Sequence, residues 1–226
     1  MNIILCHPQD RDAIWLHTEL KQKQVPVHLL APEELLMAEE WTQYIDTDSD
    51  SYRIKTQSGI TIDNSERHFL FNRTQLAQSP IWNKAQETEK NYVQAELNAA
   101  LMSLLYSMQR KSTVLNPAVG YSLSGVYWSK DQWTKAAYEA GFEDVAIREE
   151  TIIPYHSILV VDDTVIPEST DEEVIEQALS LSRIAQTPLL EINLGKDGKQ
   201  LLGANSFPSL KKYGNVLIDL IQQKML

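Results

Sequence analysis

Two polar side chains near the end of the sequence could act on one ligand. Residues 188–210, PLLEINLGKDGKQLLGANSFPSL, predict two strands joined by a tight turn. Asp197-Gly198 favours that turn, because Asp-Gly readily adopts the positive φ that a two-residue hairpin loop needs. Glu191 and Asn205 then lie on neighbouring strands, where a carboxylate and a carboxamide could face one site. The alternative is a polar strand face followed by a turn in which Asn205 bonds its own backbone.

A cationic candidate lies at the end of an earlier strand. The run RHFLFNR, residues 67–73, predicts a buried strand that ends in Asn72-Arg73. Ligands of open α/β sheets bind at the carboxyl ends of strands. Arg73 could therefore bind a carboxylate or a phosphate, but it could equally pair with one of the many acidic side chains.

A third group of reactive residues follows the first strand. The run His7-Pro8-Gln9-Asp10 resembles the His-Pro-Asp-Asp motif of zinc-dependent sugar deacetylases, with His7 and Asp10 at the zinc-ligand spacing. Gln9 stands where that family has its base, and Gln cannot accept a proton at neutral pH. We therefore expect a strand-to-helix loop capped by Asp10 or Asp12. Cys6 is expected to be a buried small hydrophobe rather than a nucleophile.

Composition excludes several classes of function. The 226 residues carry 31 acidic and 20 basic side chains, a net charge of −11, which disfavours binding to nucleic acids or to anionic membranes. The start MNIILCHPQD has no basic leader, and no run approaches a membrane span, so we expect a cytoplasmic protein. One cysteine excludes an intrachain disulfide. No glycine-rich phosphate loop is present, which counts against an ordinary nucleotide-binding loop.

The predicted elements that position these residues alternate between strands and helices. Strands at 2–6 and 25–30 flank a helix, which predicts a parallel α/β sheet. An exposed β excursion is expected within 41–63, and the longest helix within 82–110. Further helices are predicted at 128–140, 168–186 and 212–225, with two strands split at Pro154 between the first two of these helices.

Three segments in order resemble the ATP-grasp superfamily of ligases, which includes D-alanine–D-alanine ligase, glutathione synthetase and the ribosomal-protein glutamate ligases. The amino-terminal strand-helix-strand part, through Asn72-Arg73, resembles the pre-ATP-grasp domain. Residues 114–142 then have Asn116-Pro117 at a strand end, Lys130 opening a helix and Gly141 eleven residues later, as the family commonly does. The third segment, 157–210, has the family's order of strand pair, helix and hairpin.

The resemblance implies roles for four residues. It implies that Lys130 reaches the phosphates of ATP, with Asn116 as a further nucleotide-binding candidate, and that Glu191 and Asn205 are magnesium ligands. Arg73 joins the nucleotide-binding candidates because of its position at the carboxyl end of a strand. The alternative for Lys130 is a solvated lysine in the first turn of a helix.

Two departures from the family put its activity in doubt. The carboxylate that bridges two magnesium ions in the family corresponds to Gly203 here. Only fifteen residues, 142–156, separate Gly141 from Ser157, where the family inserts a subdomain with a second lysine, a glycine-rich flap and the adenine-binding strand. Each loss should lower the rate of phosphoryl transfer, which depends on positioning and on compensating the phosphate charge.

The sequence therefore predicts an α/β protein in two parts. Residues 1–120 form a pre-ATP-grasp-like domain with a parallel sheet, and residues 121–226 form a reduced ATP-grasp-like α+β domain. The expected function is a binding or accessory subunit for a peptide or a partner enzyme, without autonomous ligase activity. One alternative is an ATP-dependent carboxylate–amine ligase whose lid comes from a second chain. Another is an unrelated α/β module for a small molecule. No cofactor is expected under the first hypothesis, and Mg-ATP is implied by the second.

Overall fold

The strands and helices of the protein were located in a computed structural model, which describes residues 1–77, 86–147, 156–167 and 171–225. In chain order the strands are β1 (Asn2–Cys6), β2 (Val27–Leu30), β3 (Glu40–Ile45), β4 (Asp50–Lys55), β5 (Thr61–Asp63), β6 (Phe69–Arg73), β7 (Thr113–Leu115), β8 (His156–Val161), β9 (Thr164–Ile166), β10 (Leu189–Leu194) and β11 (Leu201–Asn205). The α-helices are α1 (Arg11–Gln22), α2 (Pro32–Leu36), α3 (Glu87–Gln109), α4 (Lys130–Glu139), α5 (Glu172–Ile184) and α6 (Gly214–Met225).

The first sheet is parallel and has the strand order β2-β1-β6-β7. β1 lies at its centre and pairs in parallel with β2 and β6, which confirms the β-α-β interpretation of the amino terminus. The run Ile3-Ile4-Leu5-Cys6 is buried on both faces of the sheet. A central parallel strand is covered on both sides, which is why its sequence is almost continuously apolar.

The second sheet is antiparallel and has the order β11-β10-β8-β9. The predicted strand pair is present, and Leu189 of β10 packs in one core while Leu190, Ile192 and Leu194 pack in another. The prediction of a two-residue hairpin loop was wrong, since residues 195–200 connect β10 to β11. The Asp197 side chain accepts hydrogen bonds from the backbone N–H groups of Lys199 and Gln200, which stabilises this wider loop.

The remaining strands and the longest helix lie on the outer side of the parallel sheet. β3, β4 and β5 form an antiparallel sheet, in agreement with the β excursion expected from the sequence. Tyr52, Ile54 and Ile62 of this sheet are buried in one cluster with residues of α3 and with Ile3 and Leu5. The predicted start of the long helix at Trp82 lies outside the described residues, as does the predicted break at Pro154.

One hydrophobic core joins the two large sheets. It contains side chains from one face of each sheet and from α1 and α6, including Ile4, Phe71, Val161, Leu189, Leu16 and Ile221. The opposite face of the antiparallel sheet packs on α4 and α5 in a separate cluster. Hydrogen bonds from Arg73 to Pro208 and from Asn116 to Ser206 hold the turn after β11 against the carboxyl ends of β6 and β7. A domain boundary between residues 120 and 121 stays a prediction.

Helix ends follow the capping residues. α5 begins after Asp171, whose side chain accepts from the N–H of Glu173, and α4 begins after the predicted cap Ser129. The last helix begins at Gly214 rather than Lys212, because residues 211–213 form a 3₁₀ turn. None of the helices in the described part of the chain combines the length and the apolar character needed to cross a bilayer.

Candidate functional site at the sheet edges

Arg73, the last residue of β6, is bound by other parts of the same chain. Its Nε donates to Oδ2 of Asp10 at 2.7 Å, and its Nη1 donates to the carbonyl oxygen of Pro208 at 3.0 Å. The guanidinium lies 3.9 Å from the centroid of the Phe207 ring, and the side chain is 2% exposed. The sequence left two roles open for Arg73, binding an anion or pairing with an acid, and in the structure Arg73 pairs with Asp10. Binding of an external anion would require this buried pair to open.

Asn116 follows β7 and bridges three segments of backbone. Its Nδ2 donates to the carbonyl oxygen of Ser206 at 2.7 Å, and its Oδ1 accepts from the N–H of Leu189 at 2.9 Å. Its backbone carbonyl accepts from Nδ2 of Asn72 at 3.1 Å. The residue is buried and has a φ of 57°, a conformation that Asn tolerates better than most side chains. Asn116 therefore holds the two sheets together at this edge.

Glu191 and Asn205 lie opposite each other on β10 and β11, as the sequence predicts. Glu191 is buried, and its Oε1 accepts a hydrogen bond from Oη of Tyr213 at 2.7 Å. The same oxygen lies 2.5 Å from Nζ of Lys212. Burial, reinforced by the adjacent Glu191 carboxylate, raises the pKa of Tyr213 far above its usual value, so this hydroxyl stays protonated and donates.

Asn205 forms a local turn at the end of β11. Its Oδ1 accepts from the N–H of Phe207 at 2.9 Å, and its Nδ2 donates to the carbonyl oxygen of Phe207 at 3.3 Å. This is the Asx-type turn that the sequence offers as the alternative to a metal-binding role. The turn directs Phe207 onto Arg73.

Lys130 lies at the surface, outside the network of buried contacts that involves Arg73, Asn116 and Glu191. It is the exposed first residue of α4, next to a capping box in which Ser129 and Gln132 bond each other's backbone N–H groups. Trp128 and Gln132 line the cleft described below, whereas Lys130 is not among the described lining residues.

A cleft of about 690 Å³ opens where these strand ends meet. Four segments line it: the residue two positions beyond β6, the connector between β7 and α4, the first turn of α4, and the turn after β11. The lining residues are Gln75, Val119, Gly120, Tyr121, Ser122, Ser124, Val126, Tyr127, Trp128, Gln132, Ser206 and Phe207. All of them are uncharged.

Most of this lining was not predicted from the sequence. The available signal was the cluster of aromatic residues in the connector, of which Tyr121 and Tyr127 prove to be almost fully exposed. Trp128 also lines the cleft. Its ring packs edge-to-face on the buried Trp133, with 4.9 Å between the two ring centroids.

The residues that resemble a zinc deacetylase motif have structural roles. The Asp10 side chain accepts from the N–H groups of Asp12 and Ala13 and so caps α1, while it also pairs with Arg73. Nδ1 of His7 accepts from the N–H of Gln9. Asp10 is therefore committed within the chain rather than presented to a metal.

Comparisons with known proteins identify the fold. No protein-family model and no curated protein match the sequence. A RiPP-associated ATP-grasp ligase of Chryseobacterium gregarium, in complex with ADP and a leader and core peptide, is 12% identical with a TM-score of 0.69, over 99% of this chain and 96% of that one. The macrocyclase MdnC of Microcystis aeruginosa MRC, bound with precursor peptide MdnA, is 9% identical with a TM-score of 0.68, over 100% and 99%.

A third solved structure, the ATP-grasp ligase PsnB complexed with minimal precursor, Mg and ADP, is 12% identical with a TM-score of 0.61, over 99% of this chain and 98% of that one. The three similarities show that this chain has an ATP-grasp-like α/β fold, with one parallel and two antiparallel sheets.

The residues at the β10–β11 strand pair do not fit a magnesium ion in the way the resemblance implies. Glu191 already contacts an ammonium and a hydroxyl, and Gly203 has no side chain to offer. Both polar atoms of the Asn205 amide are bonded within its turn. Within the part of the chain that the structure describes, no three His, Cys, Asp or Glu side chains are grouped to hold a metal.

Substitution of Arg73 tests whether the buried pair at the sheet edge is structural. Arg73→Leu leaves Asp10 buried without its charge partner, so we expect the free energy of unfolding to fall by about 3–5 kcal/mol. Arg53→Leu is the matched control, because Arg53 is 55% exposed and pairs only loosely with acids, and should cost at most about 1 kcal/mol. Urea unfolding measures both. Equal losses in the two variants would contradict the structural role of Arg73.

Reactivity of the single cysteine tests whether it can act as a nucleophile. Burial, with a smaller contribution from Asp10, raises the pKa of Cys6 to about 12. At pH 8 only about one thiol in 10⁴ is then a thiolate, the reactive form. The native protein should not react with a disulfide reagent over minutes, whereas protein unfolded in denaturant should react fully. Rapid reaction of the native protein would show that the thiol is accessible.

Proposed function

We propose that this chain is an ATP-grasp-like binding or accessory subunit that takes a peptide segment in the cleft and lacks ligase activity of its own. The observation that carries this proposal is the lining of the cleft, which combines aromatic rings, hydroxyls and amides without a charged side chain among the described residues. Aromatic and hydroxyl groups suit the main chain and uncharged side chains of a peptide, which need packing surface and hydrogen-bond partners.

The same lining is poorly suited to a nucleoside triphosphate. Phosphoryl-transfer sites compensate several negative charges with lysine, arginine or metal ions. Here Arg73 is buried in a pair with Asp10, and Lys130 lies outside the described lining. The protein's net charge of −11 would also repel an unchelated triphosphate.

The short connection after α4 supports the absence of a nucleotide clamp. Only fifteen residues, 142–156, separate Gly141 from Ser157. Fifteen residues are too few to form a subdomain with a core of its own, because chains below about 40 residues rarely fold without disulfides or metals. We therefore propose that the connection after α4 carries no nucleotide clamp.

The solved neighbours support the peptide part of the proposal. One is in complex with a leader and core peptide, another with a precursor peptide, and a third with a minimal precursor. We extend those observations to the cleft of this chain and propose that its partner is also a peptide.

A second candidate function is an ATP-dependent carboxylate–amine ligase whose lid comes from another chain. It is favoured by the ADP and Mg in solved neighbours and by the placement of Glu191 opposite Asn205. In that case Lys130, Arg73 and Asn116 would hold nucleotide, and magnesium would need Glu191 released from its present partners. The third hypothesis, an unrelated α/β module, is disfavoured by the fold similarity.

Thermal unfolding with nucleotide separates the first two functions. A ligand at 100 times its Kd stabilises the folded state by about 2.7 kcal/mol, which is roughly 5–10 °C for a chain of this length. We expect the melting temperature to change by less than 1 °C with millimolar Mg-ATP or Mg-ADP, a limit of about 0.5 kcal/mol. A rise of several degrees that Lys130→Ala removes would instead favour the ligase.

Removal of exposed tyrosines tests the cleft as the binding surface. Truncation of interface aromatics commonly costs about 2 kcal/mol or more, so Tyr121→Ala/Tyr127→Ala should weaken partner binding at least about 30-fold. Tyr92→Ala/Tyr138→Ala is the matched control, because both residues are more than half exposed and neither is among the cleft lining. Co-purification from the native host provides the partner, and its affinity for each variant is then measured. Equal binding to both double variants would place the interface elsewhere.

A further inference from the structure

The Glu191 carboxylate is neutralised by the chain itself. Its side chain is 8% exposed, and a carboxylate so deeply buried requires a cation or several donors. Lys212 supplies the cation at 2.5 Å and Tyr213 supplies a donor at 2.7 Å. Both contacts are made to one oxygen, Oε1.

The turn that carries Lys212 is held in place by Asp12, near the amino terminus of the chain. Oδ1 of Asp12, in the first turn of α1, accepts from the N–H groups of Leu210 and Lys211 and from Oγ of Ser209. Tyr213 packs partly buried against the core that joins the two sheets. The position of the ammonium over Glu191 is therefore set by tertiary contacts and not by the lysine alone.

We propose that the Lys212 ammonium takes the place of a divalent cation at Glu191, so that this strand pair works without a metal. A divalent ion at either oxygen of Glu191 would lie within a few ångströms of the Lys212 ammonium, a like charge, and at Oε1 it would also have to displace the ammonium and the Tyr213 hydroxyl. It would find no further carboxylate across the strand pair, because Gly203 has none to offer. This inference stands apart from the peptide-binding proposal and does not depend on it.

The missing carboxylate can be restored without steric conflict. A Cβ added at Gly203 would meet only Nδ2 of Asn193, at 3.9 Å, which is ordinary van der Waals contact. Gly203 also lacks the positive φ that would strain another residue. Gly203→Glu therefore places a second carboxylate on the strand opposite Glu191, and Lys212→Met removes the ammonium while keeping most of its aliphatic stem.

Electron paramagnetic resonance of aqueous Mn²⁺ tests the proposal with the metal ion as the only ligand. We expect the wild-type protein to bind Mn²⁺ no more tightly than Glu191→Gln does. The Gly203→Glu/Lys212→Met variant should bind Mn²⁺ at least tenfold more tightly than wild type, and addition of Glu191→Gln should remove that gain. The single variant Gly203→Glu, in which Lys212 remains, is the matched control and should bind as wild type does.

Two results of that titration would overturn the proposal. One is wild-type binding of Mn²⁺ that Glu191→Gln abolishes, and the other is equal affinity in Gly203→Glu and in the double variant. Melting temperatures give a second test that does not need the double variant to fold. Lys212→Met should melt several degrees below wild type, because it leaves the buried Glu191 without its cation. Lys199→Met is the control and should melt close to wild type, because the Lys199 side chain is 58% exposed in its ion pairs. An unchanged melting temperature in Lys212→Met would contradict the proposal.

Discussion

The buried ion pair between Arg73 and Asp10 is the contact on which the rest of this edge of the molecule depends. It joins the end of β6 to the loop after β1, and Arg73 also reaches the carbonyl oxygen of Pro208 beyond β11. Because a buried charge without its partner is costly, the pair holds the loop after β1 against the end of β6 within the parallel sheet. The hydrogen bond from Arg73 to Pro208 then links this edge to the turn after β11. Asp10 caps α1 with the same carboxylate, so the start of this helix and the end of β6 are positioned together.

The position of the cleft and the state of Glu191 both follow from this arrangement. Asn116 and Arg73 hold residues 206–208 against the carboxyl ends of the parallel strands, and that turn forms one wall of the cleft. Asp12, two residues after Asp10, fixes the turn that places Lys212 over Glu191. Internal contacts thus engage Asp10, Asp12, Arg73, Glu191 and Lys212, while the described lining of the cleft is uncharged. This arrangement is the basis for the proposal that the cleft takes a peptide rather than a nucleotide.

The features that could be predicted from the sequence are those set by local residue patterns. The strand-helix-strand order of residues 2–30 predicted a parallel sheet, and the two strands joined by a turn placed Glu191 opposite Asn205. The ordered segments that resemble ATP-grasp ligases predicted the fold that the solved neighbours share. Each of these inferences needs only periodicity, strand pairing or the order of motifs.

The partners of the candidate residues could not be predicted in the same way. The choice of Arg73 between a ligand and Asp10 depends on how the β1 loop meets the end of β6, 63 residues away along the chain. Lys212 was expected to open a helix, but residues 211–213 form a 3₁₀ turn whose start is held by bonds from the Leu210 and Lys211 N–H groups to Asp12. The hairpin loop was wider than Asp197-Gly198 suggested, because Asp197 bonds two backbone N–H groups beyond the glycine. Long-range packing, and not residue type, decides these contacts.

Anomalous diffraction from crystals grown with Mn²⁺ and ADP would test most directly whether this scaffold holds a metal–nucleotide by itself. We expect no anomalous peak at Glu191 and Asn205, with Nζ of Lys212 within hydrogen-bond distance of Glu191. A manganese peak on Glu191, with Lys212 displaced and ADP phosphates beside it, would contradict the central claim.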